Sequence, residues 1–454
     1  MHAWRLEDIR IKKYPSKDKM AKRIAITGLG PISSLGIGCA ETWDSILHKR
    51  LNIARNKYFI DNEKWDEFYL HKIKRFDIQD FDLPKENFEF IKEIRTVTKE
   101  DTDLYYFLAI IKLAIEDSGL KYDRDRNDVG LILTQENAGV EIFFEELIDS
   151  AYEIFNNLKH VGSKEASKLR LAQKIYENGA EKRGYNLQTF TYLFSAAKVF
   201  DLHGYSLFIN NACASGLFAI EAAAQQIRAG TSPAVVVAAC DDPTRVYKYL
   251  WFKKNKLYSE DGIARPFSND SNGIVFGDGG AALVLEDLEH AMERKARIYA
   301  EYLGGGFSLE GWKITVPNVA DDFYTRSFKK ALYNSMLRSD DIDFVNPHGV
   351  GMKVTDTYEA NTINNIFKEK KPSVSAFKPL VGHNLGGSAL LETAISLLAL
   401  KNNMIPATLN CENQNTKLSL NIVKENKKME ISTVAKMSCG FSGFNGVCIF
   451  RRYK

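Results

Sequence analysis

The chain is poor in three things: net charge, paired cysteines and long apolar runs. Its formal net charge of +3 is too small to indicate a nucleic-acid partner. Its six cysteines are widely spaced, with no CxxC pair and no paired histidine ligands, so neither a disulfide framework nor a structural metal site is predicted. No apolar stretch approaches the roughly 20 residues that span a bilayer, and no signal peptide is apparent. We therefore expect a cytoplasmic protein with reduced thiols and no membrane span.

The composition is otherwise that of an ordinary globular protein. Apolar residues make up 45% and charged residues 26% of 454 residues, which can bury a substantial core without disulfides. Residues 1–20 are polar and basic, and they end where "KRIAITGLGPISSLG" predicts a strand followed by a turn. We expect a disordered extension over residues 1–20 and a folded chain from Ala21 onward.

Apolar strands alternate with amphipathic helices along the rest of the chain. Strand-like runs such as "VGLILTQ", "AVVVAACDD" and "GGAALVLED" are separated by helical patterns such as "FLAIIKLAIEDSG". Continuous apolar strands indicate a sheet that is covered on both faces, hence an α/β fold. The same pattern starts again after Arg297, so the sequence predicts two similar halves, residues 21–296 and 297–454.

One segment departs from this alternation. Between about residues 141 and 183 the chain is helical in character, with apolar residues at spacings of three and four. These residues are Ile142, Phe143, Leu147, Ile148, Tyr152, Phe155 and Leu158. The pattern favours a helical insertion packed on the domain or on a dimer partner over a membrane-binding surface.

A cysteine lies where an apolar strand meets a long helix. In "SLFINNACASGLFAIEAAAQQIRAG" the small residues around Cys213 leave room for a substrate carbonyl to approach. The start of a helix offers unpaired N–H groups and a positive dipole end, which favour the thiolate and lower the pKa of a cysteine. The alternative is a buried core cysteine, since free cysteine is among the most buried residue types.

Two histidines lie in glycine-rich loops. His348, in "DFVNPHGVG", follows an apolar strand, and His383, in "KPLVGHNLGGS", precedes a helix. Scaffold ends of this kind commonly carry catalytic groups, although either histidine alone is more often structural. A nucleophilic cysteine with two loop histidines is a set that acyl transfer requires.

Four segments, in this order, resemble the signatures of the elongating β-ketoacyl-acyl carrier protein synthases, the type II condensing enzymes. They are "NACASG", "PHGVG" followed by Asp356 and Glu359, "KPLVGHNLGGS" and "SCGFSGFN". The resemblance extends from Ala21 to Lys454. It implies the thiolase-like fold, a duplicated five-layer α-β-α-β-α arrangement, and a dimer formed through the half that carries the nucleophile. It also implies no bound cofactor or metal, because the substrates are attached to the phosphopantetheine arm of acyl carrier protein.

The resemblance also implies roles for individual residues. Cys213 would take the acyl group as a thioester, and His348 and His383 would assist decarboxylation of the malonyl unit and stabilise its enolate. Lys378 would support the histidines electrostatically, and Glu359 would organise the site from behind.

Two aromatic residues match positions around the acyl group. The backbone amides of Cys213 and Phe441 would form the oxyanion hole, and the Phe441 ring would gate the acyl pocket. Phe252 would shield the decarboxylation site. Ordinary packing is the alternative for both rings, and for Phe252 it stays open.

The sequence departs from the family pattern in two places. Val350 and Met352 replace two threonines that usually hydrogen-bond the phosphopantetheine arm, and each lost bond is worth ~1 kcal/mol. Ser442 and Phe444 stand where the family has a glycine and a threonine. These changes predict an altered path for the arm, a stiffer gate or a narrower pocket, and a specialised enzyme.

The expected activity is that of an acyltransferase of the 3-oxoacyl-[acyl-carrier-protein] synthase II type, acting in fatty-acid or polyketide-like synthesis. The alternatives are acyl transfer without condensation and a non-catalytic partner of another ketosynthase. The expected partners are acyl carrier protein and a second subunit, in a homodimer or in a heterodimer with a related ketosynthase. Lys253, Lys254 and Lys256 are candidates for docking the acidic carrier, with a solvated surface as the alternative.

Overall fold

The protein is described here by a computed structural model. The described residues are 22–61, 64–95, 101–121, 129–136, 139–140, 142–144, 147–149, 151, 165–179, 188–241 and 246–453. The expected disordered extension, residues 1–20, lies outside them.

The part of the chain that precedes residue 297 is helical at the described residues 140, 142–144, 147–149 and 151, and it also carries nine strands and eight α-helices with defined bounds. They are β1 (Ile24–Ser33), β2 (Gly36–Ile37), α1 (Gly38–Leu47), β3 (Ile53–Asp61), β4 (Lys64–His71), α2 (Lys85–Arg95), α3 (Thr102–Ser118), β5 (Val129–Thr134), α4 (Glu165–Gly179), α5 (Thr189–Phe200), β6 (Ser206–Ile209), α6 (Ser215–Ala229), β7 (Ala234–Asp241), α7 (Val246–Lys254), β8 (Phe276–Gly277), β9 (Gly279–Asp287) and α8 (Leu288–Glu293).

The part that follows carries seven strands and four helices among the residues described. They are β10 (Ala300–Leu309), α9 (Phe323–Asn334), β11 (Phe344–Asn346), α10 (Lys353–Ile366), β12 (Ser373–Val374), α11 (Lys378–Val381), α12 (Ser388–Asn402), β13 (Met404–Ile405), β14 (Lys427–Lys428), β15 (Thr433–Gly440) and β16 (Phe444–Arg452).

The strand order repeats from one half to the other. One half of the large sheet runs β6-β5-β7-β9-β1 and the other runs β12-β11-β15-β16-β10. In both halves the first three strands are parallel and the last two are antiparallel to their neighbours. The halves join where β1 pairs with β10. The predicted duplicated α/β fold is therefore confirmed, whereas the boundary between residues 296 and 297 stays a prediction.

Two helices form the central layer between the halves. Thirteen consecutive residues of α12, 388–400, are buried on every side of the helix, as its nearly uncharged sequence "SALLETAISLLAL" predicts. Helix α6 packs against α12 at Gly216, where an added Cβ would lie 2.8 Å from the Leu390 amide nitrogen. A glycine is needed there because any side chain would separate the two helices. Helices α3 and α9 cover the outer faces of the sheets, which completes the five layers.

The predicted insertion is described only in part. Residues 165–179 form α4, and Ile142 is buried, whereas Ile148 is 55% exposed. Tyr152, Phe155 and Leu158 lie outside the described residues.

In the part of the chain that is described, no helix combines the length and the apolar character needed to cross a membrane.

Candidate active site

Cys213 lies in a tight turn between β6 and α6. The backbone of Ala212 has a left-handed φ of 51°, and the Asn211 amide donates to the Ser215 hydroxyl at 2.7 Å. Helix α6 begins at Ser215. Cys213 therefore precedes the helix by two residues instead of lying in its first turn, which corrects the expectation from sequence.

The surroundings of Cys213 oppose ionisation of its thiol. The side chain is only 3% exposed, and Sγ donates a hydrogen bond of 3.1 Å to Oε1 of Glu136. Burial, followed by the charge of Glu136, raises the pKa of the Cys213 thiol well above its usual value, and Lys378 acts in the opposite direction. The expected lowering of the pKa is therefore wrong, because a buried thiolate loses its hydration and faces a carboxylate.

This environment predicts the pH dependence of Cys213 alkylation. Because only the thiolate reacts, a raised pKa keeps the reactive fraction of Cys213 small at pH 7. As the pH rises toward that pKa, the thiolate fraction increases by up to about tenfold per pH unit. We expect the rate of carbamidomethylation by iodoacetamide, followed by peptide mass spectrometry, to keep rising above pH 8.5. A plateau between pH 6 and 8 would show that the thiol is activated in the resting protein.

The fold brings His348 and His383 to this cysteine. His348 follows β11, and His383 follows α11; both are 3% exposed. Their ring centroids are 5.2 Å apart with the ring planes at 84°. Possible ligand atoms of Cys213, His348 and His383 all lie within 4.8 Å of one another. Nδ1 of His383 lies 2.9 Å from the hydroxyl of Ser388, which fixes the orientation of that ring.

Both imidazoles are held in the neutral form. Burial, followed by the charge of Lys378, lowers the pKa of His348 and of His383 well below 6.5, and Lys436 adds to this effect. A folded pKa below the unfolded value means that protonation opposes folding, so these groups reduce stability as the pH falls below about 6.5. At neutral pH each ring has one N–H to donate, which suits stabilisation of an enolate oxygen.

A buried charge cluster lies behind His348. Nζ of Lys378 donates to the His348 carbonyl and to Glu392 Oε1, both at 2.7 Å, and lies 3.4 Å from His348 Nδ1. Nζ of Lys436 donates to the other oxygen of Glu392 and to the Pro347 carbonyl at 3.3 Å. Two fully buried lysines therefore share one carboxylate, which we call the Lys378–Glu392–Lys436 cluster.

Glu359 holds the loop that carries His348. Its two carboxylate oxygens accept hydrogen bonds from the His348 and Gly349 amides, each at 2.6 Å. Burial raises the pKa of Glu359 to about 7, although these two bonds favour the charged form. Gly349 has a φ of 50°, and an added Cβ would lie 2.5 Å from that of Ala376. Glu359 thus contacts backbone and fixes the position of the histidine.

A small cavity faces the sulfur on the histidine side. It encloses about 40 Å³, and its lining includes Phe252, Phe441, Val350 and Met352 together with the cysteine and both histidines. The rings of Phe252 and Phe441 stack at 5.6 Å and 24°. Phe444 is not among the lining residues, and its ring lies 6.0 Å from that of Phe218.

The predicted oxyanion hole lies where two backbone segments meet. An added Cβ at Gly440 would lie 3.1 Å from the Cys213 amide nitrogen, so the peptide that leads to Phe441 passes close to the nucleophile. The donation by the Cys213 and Phe441 amides stays a prediction.

The three lysines that are candidates for docking the carrier lie at the surface. Lys253 pairs with Asp66 at 3.0 Å, and Lys254 and Lys256 are exposed.

The residue that follows Phe441, the predicted gate of the acyl pocket, is a strained serine. Ser442 has a φ of 64°, the left-handed region that favours glycine, and its amide donates to the Ile314 carbonyl at 2.6 Å. An L-residue with a backbone in this region costs ~1–2 kcal/mol, and glycine removes that cost. The greater conformational entropy of glycine in the unfolded chain offsets part of the gain, so we expect Ser442→Gly to raise the free energy of unfolding by up to about 1 kcal/mol. Urea denaturation checks this, with Ser442→Ala as the control that keeps the strain. A destabilised Ser442→Gly would contradict it.

Three groups were missed from sequence: Glu136, which is half-buried, and Glu392 and Lys436, which are buried. Glu136 follows β5 and has no motif around it. Glu392 and Lys436 had a usable signal, since each is a charged residue inside an otherwise apolar helix or strand. A charge at such a position requires a buried partner.

The Cys213, His348 and His383 arrangement is also compatible with a metal. Three ligands at this spacing resemble a catalytic zinc site with an open position. Geometry alone therefore fits both a metal site and a nucleophile with two histidines.

Comparisons with known proteins extend over nearly the whole chain. Residues 21–291 match the family model "Beta-ketoacyl synthase, N-terminal domain", and residues 299–412 match the C-terminal domain of the same family. The chain is 27% identical over 443 residues to 3-oxoacyl-[acyl-carrier-protein] synthase 2 of Coxiella burnetii, covering 95% of this chain and 99% of that protein. It is 28% identical to 3-oxoacyl-[acyl-carrier-protein] synthase 1 of Escherichia coli, covering 95% and 100%.

A solved structure shows the same fold. It is a type II polyketide ketosynthase bound to its acyl-carrier protein and a hexaketide, with a TM-score of 0.76 and 21% identity over 96% of this chain and all of the other.

Proposed function

The chain belongs to the β-ketoacyl synthase family, and on that premise we propose that it condenses an acyl thioester on Cys213 with malonyl-acyl carrier protein. The reaction is a decarboxylative Claisen condensation in fatty-acid or polyketide-like synthesis, of the 3-oxoacyl-[acyl-carrier-protein] synthase II type. The observation that carries the proposal is the convergence of Cys213, His348 and His383 within 4.8 Å.

In the first half-reaction the sulfur of Cys213 attacks the carbonyl carbon of the incoming acyl thioester. The carbon–sulfur bond to the carrier breaks, and the thiol proton ends on the departing phosphopantetheine sulfur. The amides of Cys213 and Phe441 stabilise the oxyanion, a contribution of ~3 kcal/mol per donor in comparable sites. The Cys213 thioester that forms has no ionisable thiol, so the raised pKa limits only this step.

In the second half-reaction the malonyl carrier occupies the histidine side. The bond to its terminal carboxylate breaks, carbon dioxide leaves, and the electron pair passes to the thioester oxygen as an enolate. Neutral His348 and His383 donate N–H groups to that oxygen. The carbanion then attacks the Cys213 thioester, and the cysteine sulfur leaves and takes up a proton. Lys378 positions His348 through its two contacts with that residue.

The chain's partners in this proposal are acyl carrier protein and a second subunit. The complex of the related polyketide ketosynthase with its carrier supports the first. Exposed Lys254 and Lys256 near the gate would attract an acidic carrier. The second subunit is a further copy of this chain or a related ketosynthase, and we place the protein in the cytoplasm because all six cysteines are free.

The test is intact-protein mass spectrometry after incubation with acyl carrier thioesters, with and without malonyl carrier. We expect an acyl adduct on the wild type and none on Cys213→Ala. Malonyl carrier should discharge the adduct as a ketoacyl product that is two carbons longer. An adduct that malonyl carrier cannot discharge would indicate an acyltransferase, and no adduct on a folded protein would indicate a non-catalytic subunit.

We also propose that the site works without a metal, as the neutral histidines can donate to the enolate themselves. Dialysis against EDTA should leave the rate of condensation unchanged, and added Zn²⁺ should inhibit by displacing the thiol proton of Cys213 and binding its sulfur and both rings. Loss of activity on chelation, restored by one metal equivalent, would contradict this.

A further inference from the structure

Glu136 is the polar group that faces the nucleophile from outside the histidine cavity. Its Oε1 accepts the hydrogen bond from Cys213 Sγ at 3.1 Å, and it is not among the residues that line the cavity between the histidines and the gate. The sulfur therefore has two distinct surroundings, an enclosed space beside His348 and His383 and a carboxyl group on another side.

The proposed function assigns the histidine side to the malonyl unit. The acyl chain on Cys213 and the malonyl unit must both lie next to the sulfur when the new carbon–carbon bond forms. A cavity of about 40 Å³ has room for only a few waters and does not hold two acyl groups. We therefore place the acyl chain on the Glu136 side of the sulfur.

Acylation removes the donor on which Glu136 depends. The free thiol gives its hydrogen to Oε1 of Glu136, whereas a thioester sulfur has none to give. Glu136 is half-buried, so the loss of this partner has a cost that another donor, from water or from the substrate, must offset. A substituent on the first carbons of the acyl chain would be placed to supply such a donor.

The groups around Glu136 are polar as well. Its backbone amide lies 3.3 Å from Asp241 Oδ2, and Asp241 is paired with Lys248 at 2.8 Å, both being buried. Gln135 is fully buried, and among the described residues neither its amide nitrogen nor its carbonyl oxygen has a hydrogen-bond partner. These residues form a wall that packs closely against Gly386. An added Cβ at Gly386 would lie 2.9 Å from both Asp241 Oδ2 and the Glu136 nitrogen.

We propose, building on the proposed function, that Glu136 selects the acyl group and that Cys213 accepts chains with a hydroxyl group close to the thioester in preference to plain fatty acyl chains. The hydroxyl of such a chain donates a hydrogen bond to Oε1 of Glu136 in place of the lost thiol hydrogen. Its oxygen also accepts a hydrogen bond from the side-chain amide of Gln135 if that side chain turns toward it. An unsubstituted hydrocarbon chain meets the same wall without satisfying either group.

The experiment compares three four-carbon acyl groups on acyl carrier protein: 3-hydroxybutyryl, butyryl and 3-oxobutyryl. The readout is the rate of Cys213 acylation without malonyl carrier, measured by intact mass. We expect the wild type to take 3-hydroxybutyryl about tenfold or more faster than butyryl. The 3-oxo group has an acceptor but no donor, so it should not share the advantage.

Two variants of matched size separate the hydrogen bond from the shape of the wall. Glu136→Gln keeps an acceptor oxygen and should retain part of the preference, whereas Glu136→Leu should abolish it and raise the butyryl rate. If Glu136→Leu does not fold, the wild-type ratio and Glu136→Gln still decide the question.

The outcomes distinguish the inference from the proposed function. Equal rates for butyryl and 3-hydroxybutyryl, or a preference for 3-oxobutyryl, overturn the selection by Glu136 even if condensation with malonyl carrier proceeds. A preference that Glu136→Leu leaves unchanged does the same. Failure of all three groups to acylate Cys213 refutes the proposed function together with the inference.

Discussion

Replacing His383 with alanine should lower malonyl-dependent product formation by about 10²–10⁴-fold while acyl transfer to Cys213 continues. The imidazole is neutral, it is held by Ser388 at 2.9 Å, and it faces the cavity beside the sulfur. In the proposed mechanism its N–H stabilises charge that develops only when the malonyl unit loses carbon dioxide. The two half-reactions are measured separately, by the rate of adduct formation and by the rate of product release from the preformed adduct.

The control is His203→Ala, a histidine outside the site whose side chain is 37% exposed. It should leave both rates within about twofold of wild type, as expected for a surface substitution. An equal fall of both half-reactions in His383→Ala would contradict the prediction, because it would place His383 in the transfer of the acyl group to Cys213.

Replacing Glu392 with glutamine should lower the free energy of unfolding by about 3–5 kcal/mol. The carboxylate is 1% exposed and is the shared partner of Lys378 and Lys436, which are 1% and 0% exposed. Without it two buried ammonium groups face each other, and their remaining acceptors are neutral: carbonyl oxygens and Nδ1 of His348. Urea denaturation at pH 7.5 measures the loss.

Matched variants show whether the effect comes from charge. Lys436→Met leaves one lysine and one carboxylate, so we expect it to change the free energy of unfolding by no more than about 1–2 kcal/mol. The double variant Glu392→Gln, Lys436→Met should be more stable than Glu392→Gln alone, because it removes one uncompensated charge. A cost below about 1 kcal/mol for Glu392→Gln would show that water screens the cluster.

The cluster also illustrates what local sequence can and cannot show. Glu392 lies in "SALLETAISLLAL" and Lys436 in "TVAKMSCG", so each segment alone predicts a buried charge in need of a partner. Neither segment identifies that partner. The pairing requires α12 and β15 to meet within the second half, which no local pattern specifies.

Long strands and helices could be predicted from the sequence because their signals are local. The apolar strands, the helix that follows Cys213 and the glycine-rich loops around His348 and His383 each depend on near neighbours. The duplicated fold followed from their order. The start of α6 at Ser215 was misplaced by a short margin, because the turn is set by the left-handed Ala212.

Only the tertiary structure decided the electrostatics of the site. Burial of the Cys213 thiol, followed by the charge of Glu136, which precedes it by 77 residues, raises the pKa that the helix start alone would lower. Sequence determined which reactive groups the chain has and which elements carry them, since these depend on residue type and periodicity. Burial and through-space charge depend on distances between remote segments, and these exist only once the sheets have paired.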